Sequence, residues 1–429
     1  MSSNCAVYFF RFTNNYISSA KPKSNYLIIQ PSLMQRSVFF CLFFVIFSCS
    51  CQKKIDPIVI VPPVVVVKDP NVAPYAWDKF SMGADLSYVN EIEAYGGKYS
   101  DSSKVGDPFL IMKKYGCNTV RVRLWHSPNW KKAIADGNLY SDINDVAKTI
   151  RRAKAAGMAV NLDLHYSDDW ADPEKQFTPE AWKKLDFATL TDSVYRYTSE
   201  VLTILAKQNL TPEMIQIGNE TNTGMLHPLG KAVNNNFKNF GILLNSGIKA
   251  VRDFSKTSTI KPQIILHVAQ LQHVGWWTKA LTNSGLVTDY DIIGLSHYAK
   301  WSTVPPTMTT IGSIIKELKT TYNKKVMIVE TAYPWTSKGA DSYGNIIDGK
   351  TGVDIYGVSE AEQLHYLKDL TQTVITAGGS GVQYWEPAWI TSNMKDRWGK
   401  GSSWENCALF DFQGNTLPAM NFMREKYVF

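Results

Sequence analysis

Two glutamates stand at the ends of short apolar runs: Glu220 closes Gln216-Ile217-Gly218-Asn219-Glu220, and Glu330 closes Ile328-Val329-Glu330. Carboxylates are seldom placed at the edge of a core without partners, because burying an unpaired charge costs several kcal/mol. Either glutamate alone reads as an ion-pair partner. Together they suit glycoside hydrolysis, in which an acid of raised pKa protonates the leaving oxygen while an ionised carboxylate attacks or activates water. Two further apolar runs end in polar and aromatic side chains. One is Arg121-Val122-Arg123-Leu124-Trp125, and the other is Asp163-Leu164-His165-Tyr166-Ser167-Asp168-Asp169-Trp170.

Such residues work only if one scaffold gathers them. Eight β-type runs recur along the chain: Met82–Leu86, Thr119–Trp125, Ala159–Tyr166, Met214–Gly218, Ile264–Val268, Ile292–Tyr298, Val326–Glu330 and Gly381–Trp385. Helical patterns lie between several of them. Ile143, Val146, Ala147, Ile150 and Ala153 share one face before Gly157, and Ser359 with Glu362 forms a capping box ahead of Leu364 and Leu367. Alternating strands and helices imply a parallel sheet, and eight units predict an α/β fold, a (β/α)8 TIM barrel. Barrels of this kind build their sites at strand C-termini, where the polar residues above fall. The rival, an open doubly wound sheet, would carry a glycine-rich phosphate loop after its first strand; Gly83-Ala84-Asp85-Leu86-Ser87 is not one.

Composition narrows the ligand. The formal charge of +7 includes Arg11, Lys21, Lys23 and Arg36 in an acid-free leader, so the body is close to neutral and offers no electrostatic case for nucleic acid. The 13 Trp and 21 Tyr supply stacking surfaces for uncharged ligands such as sugars, as well as core filling. No HExxH or cysteine-pair spacing suggests zinc, and His165, His227, His267 and His297 are scattered.

The N-terminus reads as an address. Val38–Phe47 is an apolar run too short to span a bilayer, preceded by Arg36 and followed by Ser48-Cys49-Ser50-Cys51. The expected layout is an extension over 1–33 ahead of Met34, a lipoprotein signal over 34–51, a Pro/Val-rich tether over 52–76 and one catalytic domain over 77–429. Ile46-Phe47-Ser48-Cys49 resembles a lipobox, making Cys49 the lipid-bearing residue with Cys51 as fallback; an ordinary secreted protein is the alternative. A lipid anchor would place the protein at the cell envelope, on the outer membrane or cell surface. In an oxidising compartment Cys117 and Cys407 could form one disulfide, but no disulfide framework exists.

Several of these motifs carry a family resemblance. Gly218-Asn219-Glu220-Thr221-Asn222 and Val329-Glu330-Thr331-Ala332-Tyr333-Pro334 look like the acid/base and nucleophile motifs of the retaining (β/α)8 glycosidase clan. Gly83–Ser87, Asp163–Pro173 and Trp404–Asp411 more narrowly resemble glycoside hydrolase family 53, the endo-β-1,4-galactanases. The resemblance implies that Glu220 is the acid/base and Glu330 the nucleophile. By the same resemblance Asn219 bonds the sugar 2-hydroxyl and Arg123 keeps the nucleophile ionised. His165, Tyr166, Ser167, Asp168, Asp169 and Trp170 would floor the subsites, with Tyr298, Trp301, Trp335, Trp385, Trp389, Trp398 and Trp404 as stacking candidates. No cofactor is required. Structural calcium after the seventh strand is implied for bacterial members, with Asp341, Asn345 and Asp348 as candidate ligands, but Gly339 and Tyr343 occupy two expected ligand positions and favour a solvated loop. The expected partners are a β-1,4-galactan chain and, through the anchor, a membrane, with the protein acting as a monomer. Two competing readings are another retaining β-glycanase acting on mannan or xylan, and a non-catalytic glycan-binding lipoprotein.

Overall fold

The computed structural model describes residues 75–232, 236–351, 353 and 355–429. Met34, Cys49, Cys51 and nearly all of the tether lie outside the described residues. Eight parallel strands close into a barrel: β1 (Ser81–Asp85), β2 (Thr119–Leu124), β3 (Ala159–Leu164), β4 (Met214–Ile217), β5 (Gln263–Ala269), β6 (Ile292–His297), β7 (Lys325–Thr331) and β8 (Gly381–Tyr384). Strand β8 pairs with β1, so the sheet has no edge, and the open-sheet alternative is excluded.

Among the described residues, eight α-helices accompany the strands: α1 (Val89–Ala94), α2 (Pro108–Lys114), α3 (Ile143–Ala155), α4 (Phe187–Ala206), α5 (Lys238–Ser255), α6 (Leu271–Asn283), α7 (Met308–Tyr322) and α8 (Glu360–Thr376). Local chemistry sets their starts. Asp142, Asp186 and Ser359 each accept a backbone N–H from the first turn of α3, α4 and α8. At α8 only this half of the expected capping box forms, because the Glu362 carboxylate turns to His365 instead.

The main core lies between sheet and helices. Inside the barrel, β4–β7 contribute an apolar cluster of Met214, Ile265, Ile292, Met327 and Val329, with Trp77 against it. The opposite wall is polar and hydrogen-bonded: Ser81 donates to Thr119, Asn161 to Gln383, and Gln383 to Ser81, with the Asn161 Oδ1 left without a partner. Tyr75 is tied to the C-terminal segment, accepting from Tyr427 N–H at 2.8 Å and donating to Glu425 O at 2.9 Å. Cys117 and Cys407 are buried, free thiols, so the disulfide left open by the sequence is not formed.

Candidate active site

Glu220 is mounted on a turn that β4 cannot continue through. Gly218 takes φ +81° and Glu220 itself φ +45°, left-handed backbone that swings the side chain into a cleft at the C-terminal mouth of the barrel. His267, from β5, braces the turn: its Nδ1 accepts the Glu220 N–H at 3.2 Å, and its carbonyl accepts the Thr221 hydroxyl at 2.9 Å. Burial holds that imidazole neutral, well below its ordinary pKa.

Glu330 sits near the end of β7, facing the same cleft, and two groups fix it. Arg121 pairs with its Oε1 at 2.8 Å, Tyr298 donates to its Oε2 at 3.0 Å, and only 5% of the residue is exposed. The Arg121 guanidinium also meets Asp85, Asp163 and the Asn219 Oδ1, each at 2.8 Å. One cation thus faces three buried carboxylates, and the site carries surplus negative charge. Burial raises both glutamates. Glu220 is lifted well above its ordinary value, first by desolvation and then by the charge of Glu330, whereas Arg121 draws Glu330 back. The proton of this pair therefore resides on Glu220, and Glu330 is the ionised partner.

This corrects one expectation. Arg123 does not hold the nucleophile. It pairs at 3.1 Å with Glu386, a buried glutamate just beyond β8. Its guanidinium lies 4.2 Å from the Tyr88 ring and 4.3 Å from the Trp170 ring, so it props an aromatic wall rather than the reacting carboxylate. Both arginines point inward because side chains alternate along β2; Arg121, level with Asp85 on β1, is the one that reaches Glu330.

Of the other expected site residues, His165, Trp170, Asn219, Tyr298, Trp385 and Trp404 line the cleft, as do Trp301, Trp389 and Trp398. Asn219 donates one amide hydrogen to Ala171 O at 2.8 Å and keeps a second for a ligand. Tyr166 does not line it: it takes φ +48° and bonds Thr198 beneath α4. Ser167 is buried beside it. Asp168 accepts the Glu180 N–H at 2.8 Å, and Asp169 pairs with Arg397 at 2.8 Å; both carboxylates hold loops together. Trp335 likewise leaves the cleft, donating to Glu405 O and packing against Phe412. Residues that the sequence reading passed over are Arg121 as the nucleophile's partner, Glu386, and the lining residues Gln270, Gln272, His273 and Lys175. Glu386 carried a usable signal, because it follows its apolar run just as Glu220 and Glu330 do.

The donors after β7 do not fit a calcium ion. The Asp341 carboxylate accepts from Thr391, from Ser402 N–H and from Tyr343 N–H, the Tyr343 hydroxyl is spent on Asp396, and Asp348 pairs with Lys300 at 2.8 Å. Two buried oxygens near Gly339, Asn345 Oδ1 and Glu405 Oε2, lack partners. Burial raises Glu405 to about 7, and a carboxyl proton suits that dry corner better than the six to eight oxygens calcium takes. Among the described residues, no three His, Cys, Asp or Glu side chains converge as a metal site.

An eight-stranded parallel barrel with a part-buried acid on the turn after β4 and an ion-paired carboxylate on β7 is built to cleave glycosides. The chain belongs to glycosyl hydrolase family 53, which it matches over residues 81–423. It is 46% identical over 353 residues to the arabinogalactan endo-beta-1,4-galactanase of Cellvibrio japonicus, covering 81% of this chain and 91% of that one. It is 33% identical over 376 residues to the endo-beta-1,4-galactanase of Bacillus subtilis, covering 80% and 84%. The structure of the Ignisphaera aggregans GH53 catalytic domain superposes with a TM-score of 0.74 at 34% identity, covering 83% of this chain and 98% of that one.

Proposed function

We propose that Glu220 is the acid/base and Glu330 the nucleophile in the retaining, endo-acting hydrolysis of β-1,4-galactosidic bonds in galactan, the type I arabinogalactan of pectin. The observation that carries the assignment is the unequal treatment of the two carboxyls: Arg121 and Tyr298 serve the charge on Glu330, and burial beside that charge keeps the proton on Glu220. In the first step a Glu330 oxygen bonds to the anomeric carbon as the bond to the leaving oxygen breaks, and the Glu220 proton passes to that oxygen. Glu220, now ionised, takes a proton from water, whose oxygen displaces Glu330 and restores both groups. In this reading the spare amide hydrogen of Asn219 meets a sugar hydroxyl, and Trp170 and Trp385 meet the apolar sugar face, while His165, with both ring nitrogens engaged by Asp163 and the Ala171 N–H, and the buried Trp404 support them from behind.

Glu220→Gln and Glu330→Gln should each lower galactan turnover at least about 10²-fold with melting temperature retained, and proton NMR should show the β-anomer forming first. Near-normal turnover by either variant, or an α-anomer first, removes the assignment. Cleavage of mannan or xylan in preference to galactan would favour the other clan reading. The pair of opposed carboxyls argues against a non-catalytic binder.

The same reading places the enzyme at the cell envelope through lipid on Cys49, supported by the apolar run and small-residue exit in the sequence. The same reading has the enzyme act there as a monomer. Fatty-acid labelling that survives Cys49→Ser would move the role to Cys51; no labelling of the unaltered chain would remove the anchor.

A further inference from the structure

Helix α6 begins at the rim of the cleft and carries two adjacent tryptophans with opposite fates. Trp277 is fully buried, and its indole donates to Thr221 O at 2.9 Å, directly behind the acid/base. Trp276 is 42% exposed. It is nonetheless held in place, its Nε1 donating to His273 Nδ1 at 3.3 Å and its ring meeting Phe237 edge-on at 6.0 Å. A large aromatic face kept flat and wet forgoes the gain of burial, unless a ligand covers it.

The surroundings suit a sugar. Gln272, Gly275, Lys279 and Asn283, spaced three and four apart, form with Trp276 one wall of a groove of about 680 Å³, and α7 forms the other with Glu317. Gly275 opens the floor beside the indole: a Cβ built there meets nothing within 4 Å, although glycine inside a helix costs about 0.5–1 kcal/mol. Amide, ammonium and carboxylate groups around an aromatic plate match the hydroxyls and C–H face of a neutral glycan.

The groove is also continuous with the cleft. Gln272 lines both, and is anchored to the rim by donating to Trp301 O at 3.2 Å and accepting from Thr303 N–H at 3.3 Å. His273, which fixes the Trp276 ring, faces the cleft. Helix α6 follows β5, the neighbour of β4, and α7 follows β6, the neighbour of β7, so the groove lies on the sector of the barrel between the strands that carry Glu220 and Glu330.

We propose that the Trp276 groove is a second polysaccharide-binding site, outside the catalytic cleft, that holds a distal arm of the same galactan chain whose scissile bond lies between Glu220 and Glu330. It rests on the galactanase reading, and makes the enzyme favour long chains over short ones without altering the chemical step.

The test compares linear β-1,4-galactan with galactotetraose as substrates for the full chain and for Trp276→Ala, Trp276→Tyr and Gly275→Gln, the last filling the groove without touching the indole. Trp276→Ala and Gly275→Gln should lower kcat/KM on the polymer about 3- to 10-fold through KM, leave the tetraose unchanged, and be matched by weaker galactan retardation of the Glu330→Gln protein in affinity gels. Trp276→Tyr should restore most of the loss. Unchanged polymer kinetics in both groove variants, or equal losses on both substrates, would overturn the second site. Failure of the galactanase reading is distinct, since the unaltered protein would then cleave neither substrate.

Discussion

Replacing Arg121 by lysine keeps the charge and removes the fork, and so isolates what the guanidinium does for the nucleophile. At 2.8 Å from Glu330 a unit charge contributes about 6 kcal/mol at an effective dielectric of 20 and about 1.5 kcal/mol at the bulk-water value. Asp85 and Asp163 compete for the same cation, and one ammonium cannot meet Glu330, Asp163, Asp85 and Asn219 together. If the ammonium settles about 6 Å from Glu330, about 3 kcal/mol is lost, equal to about two pKa units. Glu330 must be ionised to attack, so a raised pKa removes activity from the acid side. Arg121→Lys should therefore shift the acidic limb of the kcat/KM profile upward by about one to two units, with a fall of about 10²-fold at the former optimum. Arg123→Lys, whose partner is Glu386, should leave that limb in place. The assay is initial-rate kinetics on galactan from pH 4 to 9. An unmoved acidic limb in Arg121→Lys, or the same shift in Arg123→Lys, refutes the assignment of the two arginines.

The alkaline limb should report loss of the Glu220 proton above the usual carboxylate range, and Glu220→Gln assayed on an aryl galactoside, whose leaving group needs no proton, should lose that limb. Burial raises Glu405 to about 7, so the folded state holds its proton more tightly than the unfolded chain and stability falls as pH rises from about 4.5 to 7. Glu405→Gln should gain on the unaltered protein by up to about 3 kcal/mol between pH 5 and pH 8 in urea melts, and a constant difference would show that Glu405 titrates normally. Calcium at 100 times Kd would add about 2.7 kcal/mol to a protein with a true site. With Asp341 and Asp348 already engaged, chelator and added calcium should change the melting temperature by no more than about 1 °C, and a rise of several degrees would reveal a site.

The barrel was legible because its signals are local: each apolar run maps onto a strand within two residues at either end, and Asp142 and Ser359 cap helices where their side chains can act alone. Glu220 and Glu330 were legible for the same reason, since position at a strand end is a property of the chain. Which arginine serves Glu330 was not, because that depends on how far a side chain reaches across the barrel, a distance the spacing Arg121-Val122-Arg123 does not encode. Tyr166 shows the limit of reading a motif as a surface: the chain reverses at its positive φ, so a residue between His165 and Trp170 points under a helix while they face the cleft. Trp335 and Asp169 were drawn off by Glu405 and Arg397, partners 70 and 228 positions away in sequence.

The left-handed backbone at Glu220 gives the enzyme a direction of decay. A side chain at φ +45° costs of order 1 kcal/mol that glycine would not incur, and the carboxyl adds the burden of its own burial. A descendant freed from the need to cut galactan would gain stability by exchanging the acid for glycine or asparagine, while β4, the His267 brace and the aromatic walls stayed intact. Loss of catalysis is thus downhill in this barrel, and the commonest relic of such an enzyme should be a well-folded protein that still grips the polysaccharide it can no longer cleave.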